Sequence, residues 1–137
     1  KSEGPIDNFN GYFEFLNNDF PVWVYFDGVL YPSVTTAYQA SRTDDKRIRQ
    51  SINEAETYEQ LTEIVTKIKN PADWAARRYK IMESLVRDKF KRNKAIREKL
   101  VETGTRHLVN KYAKGGDNET YWGVVNQQGL NNLGKIL

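Results

Sequence analysis

The sequence predicts an α+β fold that is predominantly helical, with a small antiparallel hairpin near its N-terminus. Two runs rich in β-branched and aromatic residues flank Asp27-Gly28, a pair that tolerates the positive φ angles of a type I′ turn. After Pro32, apolar residues recur mostly at the three- and four-residue spacing of helices. We therefore expect Val22–Phe26 and Val29–Tyr31 to pair, and helices to follow them.

Length and composition place the chain among globular proteins. Its 137 residues suffice for a hydrophobic core, and we expect a single domain over residues 1–137. Hydrophobic residues make up 39% and charged residues 28%, which excludes a disordered composition. No apolar run is as long as a membrane span and the N-terminus has no signal-peptide pattern. The sequence thus predicts a cytoplasmic location and no membrane partner, and leaves the oligomeric state open.

The scarcity of metal and redox ligands limits the chemistry. The chain has no cysteine, which excludes disulfides, thiolate nucleophiles and cysteine-held metal centres. His107 is its only histidine, so zinc catalysis and a Ser–His–Asp triad are nearly excluded unless that residue serves. We expect no metal and no cofactor.

The net charge of +3 would help to attract a phosphorylated ligand or a nucleic acid, but identifies neither. The basic residues are distributed unevenly, and ten Lys or Arg lie between Arg77 and Lys99. Most of these are expected on a solvated helix face, and a phosphate-facing patch is an alternative for a few.

Capping residues predict where the first helices begin. Ser33 is a candidate N-cap for a helix through Ala40, and Thr43-Asp44-Asp45 opens a helix over Lys46–Glu54. Thr57 and Gln60 have the spacing of a capping box. The face of the helix behind that box consists of Leu61, Ile64, Val65 and Ile68.

The second half of the chain continues the helical pattern. Asn70-Pro71 predicts the start of the longest helix, because proline is tolerated in a first turn. Asn93 caps another helix that stops at Gly104, Arg106–Tyr112 is ambiguous, and Lys114–Thr120 reads as a loop. The apolar stripe of the longest helix is Trp74, Ile81, Met82, Leu85, Val86 and Phe90. The inward residues of the next helix are Ile96, Leu100 and Val101, and residues 131–137 form a short closing helix or tail.

The segment Tyr31–Arg42 is the strongest candidate site. It combines a strand end, a Pro-Ser helix start and the first turns of a helix. A helix N-terminus offers unpaired N–H groups and a positive dipole end, which suit an anionic or sugar-phosphate ligand. The sequence contains no phosphate-loop signature, dinucleotide fingerprint or metal-ligand cluster. The residues alone therefore predict an α+β domain with a site near Ser33–Arg42.

An ordered set of segments carries a resemblance to a known family. The first segments are Phe9–Asn18, Tyr31–Val34 and Ala37–Ala40, and Trp74, Met82 and Lys89-Phe90 follow. The last are Thr103-Gly104, Leu108-Val109, Trp122-Gly123 and Gly129–Gly134. In this order and spacing, the chain resembles the NADAR (YbiA-like) superfamily across nearly its whole length.

The resemblance implies a YbiA-like fold and N-glycosidase chemistry, in which the bond between C1 of a ribose and a nitrogen is cleaved. The implied substrates are ADP-ribose attached to guanine in nucleic acid or nucleotides, or ribosylated aminopyrimidine intermediates of riboflavin synthesis. It places the ribose site on the helix after Tyr-Pro-Ser, the Trp of the long helix and the Trp-Gly segment. The ligand-binding candidates are then Ser33, Thr36, Tyr38, Gln39, Arg42, Trp74, Trp122, Gly123 and Asn131.

The tryptophans receive different expectations. Trp23 and Tyr25 are expected in the core of the sheet. Trp74 and Trp122 would be core residues by default, whereas the resemblance favours partial exposure in a ligand pocket.

Two positions depart from the family pattern. Thr35 stands where the family has Glu, and a neutral hydroxyl cannot offset the charge of an oxocarbenium-like sugar. Arg42 stands where the family has Lys; it stays protonated and cannot act as an amine nucleophile, but can bind phosphate bidentately. Glu119 fills the acidic position before the Trp-Gly pair. The catalytic candidates are Glu119, Asp117 and Thr35, with Glu14 and Asp44 as other possible carboxylates.

Two hypotheses follow. The first is an active N-glycosidase whose carboxylate has moved. The second is a binding module for ADP-ribose or a related nucleotide, a sensor or sponge, on the same scaffold. In either case the expected partner is a small ribosylated nucleotide or an ADP-ribosylated nucleic acid.

Overall fold

The computed structural model describes residues 4–112, 117–125 and 127–137, without the side chains of residues 117 and 118. The chain divides into an internal unit, Pro21–Arg92, and a terminal unit built from both ends of the chain, Lys1–Phe20 and Asn93–Leu137. The predicted class is confirmed, because helices dominate and a small antiparallel sheet lies near the N-terminus. Among the described residues, no helix is both long and apolar enough to cross a membrane.

The predicted hairpin is confirmed. Strand β1 (Val24–Phe26) pairs antiparallel with strand β2 (Val29–Tyr31), and Val24 faces Tyr31 across the ladder. Asp27 and Gly28 have φ angles of 49° and 86° between the strands, as the primed turn requires. The second strand thereby ends at Tyr31, which is buried and lies three residues before the first α-helix.

The expectation of a core position for Trp23 and Tyr25 is wrong. Their side chains are 58% and 48% exposed, whereas Val24 between them is fully buried. Successive side chains of a strand point to opposite faces, and the core covers only one face of this two-stranded sheet. An inward Val24 therefore forces both aromatic neighbours outward.

The internal unit continues with four helices. These are α1 (Val34–Ser41), α2 (Lys46–Glu54), α3 (Tyr58–Val65) and α4 (Trp74–Arg92). Three predicted caps are confirmed, because the side-chain oxygens of Ser33, Asp45 and Thr57 each accept a hydrogen bond from an N–H of the first turn. The fourth, Asn93, precedes its helix but makes no capping hydrogen bond with its side chain. The side-chain amide oxygen of Gln60 accepts a hydrogen bond from the N–H of Glu56. A capping box would use the N–H of Thr57, which is the next residue.

Helix α4 is the longest helix, as predicted, but starts at Trp74 and not at Asn70-Pro71. The Pro71 carbonyl accepts from the N–H of Trp74 in a turn, and helical bonds start from the Asp73 carbonyl. The buried stripe of α4 is Trp74, Met82, Leu85, Val86 and Phe90, and Ile81 is half-buried.

Lys89 is an exception to the predicted solvated basic face. It is only 1% exposed, because it lies one turn after Leu85 and Val86 on the inward side of α4. Its Nζ atom lies 5.1 Å from the ring centroid of Phe90. Most of the other basic residues between Arg77 and Lys99 are exposed, as predicted.

Arg49 on α2 connects the hairpin turn to the end of α1. Its Nε donates to the carbonyl oxygens of Ala40 at 3.1 Å and Thr43 at 2.7 Å. Its Nη1 lies 2.6 Å from a carboxylate oxygen of Asp27, and its Nη2 lies 3.5 Å from Asp44. The Arg49 side chain is only 13% exposed, whereas the carboxylates of Asp27 and Asp44 are 67% and 100% exposed. The contacts with the two carbonyl groups are therefore partly shielded from water, and the ion pairs are exposed.

The described part of the terminal unit contains a 3₁₀ helix, α-helices and two short strands. The 3₁₀ helix covers Gly11–Leu16, and the other elements are α5 (Lys94–Glu102), β3 (Lys111–Tyr112), α6 (Asp117–Trp122), β4 (Val124–Val125) and α7 (Asn132–Ile136). Strands β3 and β4 pair in parallel. Ile6 bridges to Leu108, so the ambiguous segment before β3 is extended. The closing helix is confirmed as α7.

Two predictions for the terminal unit are wrong. Val101 was expected to point inward but is 75% exposed, because it follows Leu100 by only one residue on α5. Residues 117–120 of the expected loop belong to α6, and residues 113–116 lie outside the described chain. Gly104, with a φ of 56°, follows α5 as the predicted stop.

We expect Arg49→Met to reduce the free energy of unfolding by about 1–3 kcal/mol, because it removes the partly shielded charge-assisted hydrogen bonds to the Ala40 and Thr43 carbonyls. Arg47→Met is the matched control, since Arg47 lies exposed on the same helix. Urea denaturation of both variants measures the difference. Equal stabilities would contradict a structural role for Arg49.

Candidate functional site

The predicted site residues fall into two groups, one in each unit. In the internal unit, Ser33, Thr36 and Tyr38 are buried, while Thr35, Gln39 and Arg42 are half-buried. Ser33 Oγ accepts from the N–H of Thr36 and lies 3.1 Å from Thr36 Oγ1. The Ser33 hydroxyl therefore caps the N-terminus of α1, and the Thr36 hydroxyl forms a hydrogen bond with it.

Trp74 packs against the same helix. Its ring centroid lies 5.4 Å from that of Tyr38 at an interplanar angle of 55°. The side chain is only 6% exposed, so the expected partial exposure is wrong. The packing of the first residue of α4 on α1 is the physical reason.

Arg42 follows α1 directly and is held by three neutral oxygens. Its Nε donates to Asn70 Oδ1 at 2.7 Å, its Nη1 to Gln39 Oε1 at 2.6 Å, and its Nη2 to the Ile68 carbonyl at 3.3 Å. A guanidinium group has five N–H donors, and these contacts use one on each nitrogen. Counting only contacts with described residues, one N–H group on each terminal nitrogen remains for a ligand.

The groups that hold Arg42 are polar and neutral in the part of the chain that the structure describes. Burial lowers its pKa, which the nearby Tyr38 partly offsets by raising it. The guanidinium nevertheless stays protonated at neutral pH. Among the described residues, its hydrogen-bond partners do not include a carboxylate. A half-buried cation with neutral partners suits an anionic ligand.

Helix α1 itself cannot supply an acid. Its sequence, Val34–Ser41, contains neither Asp nor Glu, and Thr35 occupies its second position. Within the described ranges, the structure also has no group of three or more residues suited to hold a metal ion. Helix α1 therefore offers hydroxyl groups but no carboxylate, and a general base would have to come from another segment.

The second group of candidates lies in the terminal unit. Glu119 is half-buried on α6, whereas the side chain of Asp117 lies outside the described part of the chain. Trp122 is 2% exposed and meets the Tyr121 ring edge-on at 4.7 Å, so its expected partial exposure is also wrong. A Cβ atom on Gly123 would collide with the Asn110 carbonyl and approach the Tyr112 ring to 2.7 Å.

Asn131 connects separate segments of the terminal unit. Its Oδ1 accepts from the N–H of Asn110 at 2.8 Å, and its Nδ2 donates to the Leu108 carbonyl at 2.9 Å. Its backbone is in the left-handed region, with a φ of 52°, and its own N–H donates to the Gly123 carbonyl. The side chain is buried, so these bonds give Asn131 a structural role beside the predicted ligand-binding one.

Sequence reasoning missed Asn110 and Tyr112. Asn110 Nδ2 donates to the Tyr112 hydroxyl at 3.2 Å and to the Trp122 carbonyl at 3.3 Å. Burial raises the pKa of Tyr112; the Asn110 hydrogen bond lowers it, and the carboxylates of Glu119 and Asp19 raise it further. The polar Asn110 after the apolar pair Leu108-Val109 is the signal that could have indicated this network.

Comparison with known proteins identifies the family. The model of the NADAR domain matches residues 1–137, the whole chain. The chain belongs to the NADAR family. The fold of this NADAR domain is also that of the E. coli protein YbiA, whose NMR structure matches with a TM-score of 0.81. The match has 21% sequence identity and covers 99% of this chain and 82% of YbiA.

A curated relative links the NADAR domain to a longer protein. The riboflavin biosynthesis protein VVA0006 of Vibrio vulnificus (strain YJ016) is 30% identical over 126 residues. The alignment covers 90% of this NADAR domain and 33% of that protein, so the chain spans about a third of the length of the relative it matches.

We expect Asn131→Ala to lower the free energy of unfolding by about 2–4 kcal/mol, because buried backbone groups lose partners and alanine is strained at a positive φ. Asn131→Gly removes the same hydrogen bonds but tolerates that φ, and should be about 1 kcal/mol more stable than the alanine variant. Gln128→Ala, at an exposed position, is the control. Denaturation curves that leave both Asn131 variants as stable as the control would contradict this structural role.

Proposed function

We propose that this chain is an N-glycosidase-type hydrolase that cleaves the ribose C1–N bond of a ribosylated base, and that its ligand carries phosphate. The observation that carries the proposal is the guanidinium of Arg42, which three neutral oxygens orient and which has two N–H groups that no other described residue uses. Two such groups match two oxygens of a phosphate. ADP-ribosylated guanine and phosphorylated ribosyl aminopyrimidines both contain the required anion.

Family membership and the Vibrio relative support the choice of reaction. The name of that relative refers to riboflavin biosynthesis, which favours the ribosylated aminopyrimidine class of substrate. The resemblance that the sequence carries implies both substrate classes, so the ADP-ribosylated class is kept as the second choice.

The proposed reaction needs a carboxylate. When the C1–N bond breaks, its electron pair goes to the nitrogen, which takes up a proton, and positive charge develops on the sugar. A water oxygen then bonds to C1 and loses a proton. We assign Glu119 to stabilise the sugar charge and to accept that proton. Asp117 is the alternative carboxylate.

Thr35 has a smaller role in this proposal. Its hydroxyl can exchange hydrogen bonds with a ribose hydroxyl or with water, but it carries no charge. The proposal therefore predicts that Thr35 affects substrate orientation more than the chemical step.

We expect the protein to release free base from a phosphorylated ribosyl aminopyrimidine or from ADP-ribosylated guanosine, measured by liquid chromatography. Glu119→Gln should lower kcat by about 10²–10³-fold, because it removes the carboxylate. Glu98→Gln, at an exposed position of α5, is the matched control. If neither substrate class releases free base, the hydrolase proposal is wrong.

A second candidate function is a binding module for ADP-ribose-type nucleotides. The observation that favours it is the lack of any acidic residue on α1, together with an Arg42 that cannot act as a nucleophile. On this hypothesis, the candidate site at Arg42 binds the ligand and releases it chemically unchanged.

The double variant Thr35→Glu/Arg42→Lys tests the second candidate, because it introduces the carboxylate and the amine that the family pattern has at these positions. If the protein is a binding module, the variant should release base at least tenfold faster than the parent chain. Thr35→Gln/Arg42→Met matches it in size without either chemical group. A parent chain that already releases base, at a rate the double variant does not exceed, argues against the binding module.

A further inference from the structure

We infer that Asn70 is a positioning residue, which orients Arg42 toward an anionic ligand without neutralising its charge. The identity of the anion, a phosphate on a ribose, rests on the proposed function. The orientation itself rests on the contacts of Arg42.

Asn70 makes the shorter of the two contacts that reach Arg42 from outside α1. Its Oδ1 accepts from Nε at 2.7 Å, whereas the Ile68 carbonyl accepts from Nη2 at 3.3 Å. Gln39, the third partner, lies on α1 itself, three residues before Arg42. Asn70 therefore limits rotation of the guanidinium relative to the helix.

The backbone of Asn70 is suited to this task. Asn70 precedes Pro71, and the proline ring disfavours the helical region for the residue before it. The carbonyl of Pro71 in turn accepts from the N–H of Trp74, the first residue of α4. The amide of Asn70 is thus mounted on a restricted backbone next to the longest helix.

The neutrality of Asn70 is the feature that points to a ligand. Arg49 in the same unit meets two carboxylates, those of Asp27 and Asp44, and its charge is balanced within the protein. Arg42 has only amide and peptide oxygens as hydrogen-bond partners among the described residues. An aspartate at position 70 would accept the same hydrogen bond, but would also balance the charge that an anion needs.

The test is Asn70→Asp, which is nearly isosteric. Calorimetry would measure the affinity of the parent and variant for ADP-ribose and ribose 5-phosphate, with ribose as the uncharged comparison. We expect Asn70→Asp to weaken binding of both phosphorylated probes at least tenfold, while its thermal stability stays equal or rises. A purely structural role would instead leave affinity unchanged in a variant that is as stable as the parent.

Two further variants complete the test. Arg42→Met should lose the preference for phosphorylated probes over ribose, and Gln60→Glu, which adds the same charge at an exposed position of α3, should bind as the parent does. Equal affinity of Asn70→Asp and parent would overturn the inference, as would a parent that binds ribose 5-phosphate no better than ribose.

The readout is binding, so the outcome is separable from that of the proposed function. Tight binding that Asn70→Asp weakens, without any release of base, would support the positioning role and contradict the hydrolase.

Discussion

The internal unit depends on Arg49, which makes partly shielded hydrogen bonds to the end of helix α1 and a more exposed ion pair to the hairpin turn. The carbonyl groups at a helix C-terminus lack partners within the helix and carry partial negative charge, so a buried cation there satisfies both needs. Arg49 bonds the Ala40 carbonyl and at the same time reaches Asp27 in the primed turn. Arg42 also lies at this end of α1, where it donates a hydrogen bond to the side chain of Gln39. Arg49 and the candidate anion site at Arg42 therefore both lie at the end of the same helix.

The charge of the partners separates the structural role of Arg49 from the binding role that we propose for Arg42. Both are partly shielded from water, and both donate to several oxygens. Arg49 is balanced by carboxylates, so an additional anion would gain little from its charge. Arg42 is held by amide and peptide oxygens, which orient a guanidinium through hydrogen bonds while leaving its full charge for a ligand. The charge of the partners, more than burial or the number of bonds, distinguishes the two roles.

The sequence predicted the features that depend on local chemistry. The Asp27-Gly28 turn and the Ser33 cap were correct, because φ preferences and capping act within a few residues. The errors arose where the environment comes from distant segments. Lys89 is buried although it belongs to a basic run, and Trp23 is exposed although it is aromatic. In both cases burial depends on whether other segments pack against that face of the element, and not on the residue type. The site was predicted only in part for the same reason: the contact of Arg42 with Asn70 joins residues that are 28 positions apart.

The closing motif Gly129–Gly134 is one of the segments that carry the resemblance to the family, yet the fold itself requires several of its residues. A Cβ atom on Gly134 would collide with the Leu108 carbonyl and with the side chain of Asn131, and one on Gly129 would collide with the Gly123 carbonyl. Asn131 is needed where a side chain must bond two backbone groups at a positive φ. These residues would be retained in an active enzyme and in a binding module alike. The presence of the motif therefore indicates the scaffold, and the distinction between hydrolysis and binding rests on the few positions that the fold does not require.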